Sequence, residues 1–429
     1  MKKKISLVLV FMMVFAVFAS YSLANPQSIP NGPWIQPDQN VSLSSLLQPE
    51  DVEQRLLDME RRSKGRMETE IIGYSSGYEW PIYVAKFGEA DNDNPKILID
   101  TQIHGNEPLG TEAVMHLMQT LAMSNNKEVR DILDNVTVWF IPMLNADGAT
   151  IFEIEDYGDA QTRQNIQYWT PEEWGLDADT DAPWYHVSQT WRGTPGYDIN
   201  RDAHPHLDFD LAVHSDQHSP CNEDENWGGQ PGFYVTPEAR ALRDVFKELE
   251  PDLYINHHHR GSNIESEENP ELTTLQILGQ FVPLDREDTI VDNGETYTYT
   301  LTEESLDLSR QVNALVYQKL QKGNSLFGQI TKYPRVEDFY GGYGLPGTTL
   351  GSFSMNDTAV MLYETRGQST RDTGQKANGR YIRQSLDGIY ETLLGFATGE
   401  VYDIDPSFYE DEIPEAGPRI TVPDPGQGF

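Results

Sequence analysis

Four short, nearly unbroken apolar runs constrain this chain more than any other feature: KILID (96–100), VTVWFI (136–141), LYIN (253–256) and TAVMLY (358–363). A strand with one wet face alternates polar and apolar residues. A run without that alternation belongs to a strand covered on both faces, as in a parallel sheet flanked by helices. Stretches of helical periodicity lie among these runs. QPEDVEQRLLDMERRSKG places Val52, Leu56 and Met59 on one face and Gly65 just past the end, and PLGTEAVMHLMQTLAM starts at Pro108. TPEARALRDVFKELE opens with Thr236 as a cap and Pro237 at the first helical position. METEIIGYSSGYEWPIYVAKFG reads as two strands around a Ser-Gly turn. The alternation predicts an α/β domain with a mostly parallel or mixed sheet flanked by helices.

The ends of the chain read differently. Lys2, Lys3 and Lys4 precede an apolar stretch from Ile5 to about Ala19, and Ser22 and Ala24 offer small residues for cleavage. Residues 1–24 therefore read as a secretory signal peptide cut near Ala24, and 25–47 as a polar leader or pro-segment. The main domain is expected over 48–398, with insertions near 167–191 and 262–302, followed by a Pro-rich acidic tail over 399–429. No later stretch is long and apolar enough to span a bilayer.

Composition narrows the partners. The formal charge of −37 becomes about −40 once the three leader lysines are gone, a surface that repels nucleic acid and anionic membranes. Cys221 is the single cysteine, so no internal disulfide can form. Export without disulfides points to a prokaryotic, extracellular protein, and a monomer is expected.

Chemistry collects where the apolar runs end. KILID leads into HGNE, with His104 and Glu107 three apart at the strand edge where open α/β sheets bind ligands. Imidazole and carboxylate are zinc ligands, and a catalytic zinc needs three from the protein. LYIN leads into His257, His258 and His259. Strand geometry puts His257 and His259 on one face and His258 on the other, so one of the three supplies the third ligand. TAVMLY ends at Glu364, a carboxylate that is costly there unless paired or functional. PGYDINRDAHP offers Asn200 and Arg201, a planar fork suited to a carboxylate.

Taken in order, H-x-x-E, N-x-D-G, D-I-N-R, strand-to-His and strand-to-E-x-R resemble the zinc metallocarboxypeptidase family, which includes carboxypeptidases A and B, over roughly residues 45–398. The resemblance implies a mixed eight-stranded sheet flanked by helices and one catalytic Zn2+ held by His104, Glu107 and His258, with His257 as the alternative third ligand. It implies Glu364 as the general base acting on a zinc-bound water, and Asn200 with Arg201 as the grip on a free C-terminal carboxylate. The oxyanion arginine falls to Arg163, with Arg192 as the competitor. The mobile family tyrosine falls to Tyr340 in DFYGGYG, with Tyr343 close by. The substrates implied are peptides or proteins with a free C-terminus.

Two other functions fit the same residues: a zinc peptidase or amidase acting on cell-wall peptides or small N-acyl substrates, and an inactive peptide-binding homologue. His214 and His218 stand four apart in HSDQH, a spacing that would allow a second metal site, although packing or solvent exposure is the expected role of the pair. The acidic clusters near 155, 177–181, 222–225 and 264–271 read as solvated loops, and Ca2+ is the ion such oxygen-rich loops would take.

Overall fold

The computed structural model describes residues 43–155, 158–220, 227–261, 263–266, 272–321, 328–334, 342–366 and 375–418. The signal-peptide stretch, Cys221 and Tyr340 lie outside them.

Helix α1 (Pro49–Ser63) starts with proline, and the Gln48 amide donates to Asp51 Oδ2 at 3.1 Å. Strands β1 (Glu68–Tyr74) and β2 (Pro81–Phe87) form the expected hairpin. Strand β3 (Lys96–Thr101), helices α2 (Leu109–Met123) and α3 (Lys127–Asn135) and strand β4 (Thr137–Ile141) follow. Helix α4 (Pro237–Leu249) leads into β5 (Leu253–Arg260), and Thr236 Oγ1 caps it by accepting from the Ala239 amide. Next come β6 (Asn263–Ile264), β7 (Leu272–Leu278), helix α5 (Glu303–Gln321), β8 (Gln329–Lys332), helix α6 (Thr349–Ser354), β9 (Ala359–Arg366) and helix α7 (Gln375–Thr398).

The main sheet runs β1-β2-β4-β3-β5-β9-β7-β6, with β8 pairing β7 as a ninth strand off that path. The four apolar runs are its centre: β4, β3, β5 and β9 are mutually parallel neighbours. β2 on one side and β7 on the other run antiparallel to them, which makes the sheet mixed. Each face carries its own core. One side packs Leu56, Val114, Leu117, Val312 and Phe396 from helices α1, α2, α5 and α7. The other packs Leu98, Trp139, Tyr254 and Leu362 of the sheet under α4 and α6, whose Phe246 and Phe353 rings stack 3.9 Å apart. Burial on both sides is why these strands lack alternation.

Two stretches are more ordered than their composition implies. Part of the expected 262–302 insertion belongs to the main sheet, since β7 pairs with β9 and β8, and a further hairpin follows, Asp288–Asp292 with Glu295–Tyr299. Threonine-rich LTTLQIL hides its strand character among acidic neighbours. Beyond Gly399, two short helical segments carry Val401, Tyr409 and Ile413 into the first core. The Lys332 amide donates to Pro414 O at 2.7 Å, so the chain is docked there rather than extended into solvent. Among the described residues no helix is long and apolar enough to cross a membrane.

Candidate metal centre and active site

The site is built where β3, β5 and β9 end side by side. After Thr101 the chain turns sharply at Gln102, a buried non-glycine residue with φ of 58°, and its amide side chain holds the turn by donating to Gly105 O at 2.8 Å. Gly105 is forced by space: a Cβ there would lie 2.0 Å from the Gly148 carbonyl carbon. Asn145, on that facing turn, donates from Nδ2 to Ile103 O at 3.2 Å and to Arg163 O at 3.0 Å. The N-x-D-G motif thus fixes His104 and Arg163 relative to each other.

His104, Glu107 and His258 are all buried, and their ligand-type atoms meet. His104 Nδ1 lies 3.0 Å from Glu107 Oε1 and 3.1 Å from His258 Nδ1, which is 3.0 Å from Glu107 Oε2. The far side of each ring sets its tautomer. His104 Nε2 donates to Asp198 Oδ1 at 3.2 Å. His258 Nε2 donates to Asn256 Oδ1, whose own amide is oriented by donating to Asp100 Oδ1 at 2.8 Å. Burial lowers His258 to about 4 against the pull of Glu107, keeping its ring neutral. With the proton of each ring on Nε2, both Nδ1 lone pairs face the Glu107 carboxylate. Such a cluster of acceptors calls for a cation. Its spacings approach the ligand–ligand edge of about 3.3–3.5 Å expected around a tetrahedral zinc. The donor set fits that ion.

His257 takes the opposite face. Its Nε2 lies 2.9 Å from Ser385 Oγ of α7, its ring stacks on Tyr363, and Gly110 leaves room where a Cβ would come within 2.5 Å of Nδ1. His259 Nε2 accepts from the Leu109 amide at 3.1 Å.

Glu364 is the register partner of His258 on the neighbouring parallel strand. Its Oε2 is buried and has no hydrogen-bond partner among the described residues. Burial, with the Glu107 carboxylate nearby, pushes Glu364 well above the usual range against the pull of Arg260 and Arg163. Arg163 Nε donates to Asp198 Oδ2 at 3.0 Å, and Nη1 stands 3.7 Å from Glu107 Oε1. Burial alone would raise Asp198, but Arg163 and His104 hold it well below the carboxylate range. Arg192 sits elsewhere, bonded to Thr150 O with its guanidinium over Phe152 at 4.7 Å. Asn200 accepts from the Thr349 amide at 3.2 Å, which turns its Nδ2 toward His258 Nε2 at 3.3 Å. Arg201 Nη1 donates to Asn200 O at 2.7 Å. Tyr343 is exposed, and its carbonyl accepts from Arg286.

The sequence profile of the zinc carboxypeptidase family matches residues 52–272, just over half of the chain. The chain belongs to the zinc carboxypeptidase family. Carboxypeptidase E of Caenorhabditis elegans is 32% identical over 75 residues, 16% of this chain and 16% of that protein. Human carboxypeptidase D is 29% identical over 115 residues, 26% of this chain and 8% of that protein. The aligned stretch spans only about a sixth of the first relative's length and less than a tenth of the second's.

Among solved structures, carboxypeptidase A from Helicoverpa armigera superposes with a TM-score of 0.54 at 16% identity, covering 83% of this chain and 75% of that one. Bovine thrombin-activatable fibrinolysis inhibitor, solved with a tick carboxypeptidase inhibitor, gives 0.53 at 14%, covering 84% and 99%. At such identities the likeness is one of fold, and the fold is that of the zinc carboxypeptidases.

Three features of this family member's site do not stand out in its sequence. Asp198 joins His104 to Arg163. Asn256 sets the His258 tautomer. Arg260, its guanidinium 4.3 Å from the Tyr333 ring, acts on Glu364 through its charge. A cation directly after a histidine run at a strand end is the only signal that could have singled out Arg260.

Proposed function

We propose that this chain is a secreted, zinc-dependent metallocarboxypeptidase that hydrolyses C-terminal peptide bonds. His104, Glu107 and His258 would hold the ion. Zinc bound there supplies Lewis acidity toward the scissile carbonyl and lowers the pKa of water. Glu364 takes a proton from the attacking water at its unpartnered Oε2 and returns it to the leaving amine, and its raised pKa suits that exchange. Arg163 stabilises the charge growing on the carbonyl oxygen. Asn200 Nδ2 faces a ring nitrogen whose proton already goes to Asn256, so it remains a donor for a ligand. With the Arg201 fork beside it, it grips the terminal carboxylate. The observation that carries this reading is the convergence of two imidazole lone pairs and one carboxylate beside Glu364. Secretion rests on the leader at residues 1–24.

The test is hydrolysis of one short peptide with a free and with an amidated C-terminus, with and without a zinc chelator. Cleavage of the free form alone, lost on chelation and restored by zinc, is expected. Equal cleavage of both forms would move the chain to an amidase or endopeptidase on the same scaffold.

A further inference from the structure

A second set of ligand-type side chains lies outside this site. His206, His214 and Asp292 present three ligand atoms within 4.8 Å of one another. Two come from the segment after Arg201 and the third from the Asp288–Tyr299 hairpin, some 80 residues later. His214 Nε2 is 3.2 Å from Asp292 Oδ1 and His206 Nε2 is 3.5 Å from Oδ2. These spacings match a tetrahedral zinc edge of about 3.3–3.5 Å. Both imidazoles are nearly inaccessible, at 3% and 2% exposure.

Hydrogen bonding on the far side of the rings fits ligation. His206 Nδ1 lies 2.7 Å from the Tyr299 hydroxyl. The Asp210 amide donates to His214 Nδ1 at 3.0 Å, and the Asp210 carbonyl oxygen lies 3.0 Å from the same nitrogen. A proton on His206 Nδ1 has the Tyr299 oxygen to meet, as metal-bound histidines require, and one on His214 Nδ1 meets the Asp210 carbonyl oxygen in place of the amide. In that tautomer both Nε2 lone pairs point at the carboxylate. His206 Nε2 is buried, and its contact with Asp292 Oδ2 at 3.5 Å lies at the outer limit of a hydrogen bond, so the nitrogen is poorly satisfied without an ion. The neighbouring histidines are otherwise engaged: His204 Nδ1 accepts from the His206 amide at 2.9 Å, and His218 Nε2 lies 3.2 Å from Pro231 O.

We propose that His206, His214 and Asp292 form a second, structural site for a zinc-like divalent ion, which pins the Asp288–Tyr299 hairpin onto the 204–218 segment. Two imidazoles and one carboxylate suit a borderline metal such as zinc, whereas calcium takes oxygen ligands throughout. Water completes the fourth position on the side where the Asp292 side chain is 16% exposed. Gln217 fastens the same hairpin, donating to Val291 O at 2.7 Å and accepting from the Val291 amide at 2.8 Å.

The test is zinc content by mass spectrometry after stripping the full chain with chelator, reloading with zinc chloride and desalting. The His206→Ala/His214→Ala variant is expected to hold one zinc fewer than the parent, whatever the first site binds. A His104→Ala/His258→Ala variant reports on that first site separately and is expected to keep the second ion. Asp292→Asn, a conservative change at the partly exposed ligand, is expected to weaken the second ion's binding at least tenfold while leaving the histidines in place. Equal zinc in parent and His206→Ala/His214→Ala, or unchanged affinity in Asp292→Asn, overturns the proposal in favour of Nε2–H groups donating to Asp292.

Discussion

Glu364 and His258 are register partners on adjacent parallel strands, so their side chains leave the sheet on the same face, one strand spacing apart. A carboxylate beside a candidate ligand, with one oxygen unpartnered, is placed to move protons without being needed to hold the ion. Glu364→Gln is therefore expected to lower kcat by about 10²–10⁴-fold and to leave zinc content unchanged. Loss of zinc in this variant would make Glu364 a ligand instead.

The two candidate oxyanion arginines separate cleanly. Arg163 is tied to Asp198 and stands by Glu107, whereas Arg192 packs on Phe152 and Tyr78. Arg163→Ala is expected to cost about 10²–10³-fold in kcat. Arg192→Ala should leave kcat unchanged and lower Tm by loss of its packing. Steady-state kinetics on both variants decide the matter, and the reverse pattern would exchange their roles.

Asp100 carries a pH signature. Oδ1 accepts from the Tyr254 hydroxyl at 2.5 Å and from Asn256, Oδ2 has no partner among the described residues, and burial raises the group to about 7. An unfolded aspartate titrates near 3.9, so the fold favours the protonated acid. That stability is fully present below about pH 4 and is lost as pH rises through about 7. Asp100→Asn cannot ionise, so its Tm relative to the parent should climb between pH 4 and pH 8. A difference that stays flat across the range would falsify a neutral Asp100.

Two glycine substitutions should act in opposite directions. Gly105→Ala drives a Cβ into the Gly148 backbone and is expected to cost about 1–3 kcal/mol or more. Gly379, on α7, has open space around it, and Gly379→Ala should gain about 0.4–1 kcal/mol. Chemical denaturation of both measures the contrast, and equal effects would contradict the close approach at Gly105.

The parallel centre of the sheet was legible because burial on both faces erases alternation, and the ends of β3, β5 and β9 carried the polar residues that gather in the site. Strand parity alone separated His258 from His257, but choosing between them needed the partners on each face. What stayed hidden depended on distant chain segments meeting. Asn256 reads as an ordinary strand residue until Asp100 is seen to orient it. Asp292 reads as a solvated acid until the hairpin lays it against His206 and His214. The segment after Gly399 reads as free chain because Val401, Tyr409 and Ile413 are sparse among acids, although three buried side chains suffice to dock it.

The order of strands along the chain differs from their order across the sheet. The three residues that converge at the candidate metal centre all precede residue 260, but β5 keeps an open edge until residues 359–366 pair with it. The ligand set and the proposed base therefore come from separate stretches of chain, and only the pairing of β9 with β5 brings them together. If Glu364 is the base, a chain cut before β9 keeps all three ligand residues but lacks the group that moves the proton.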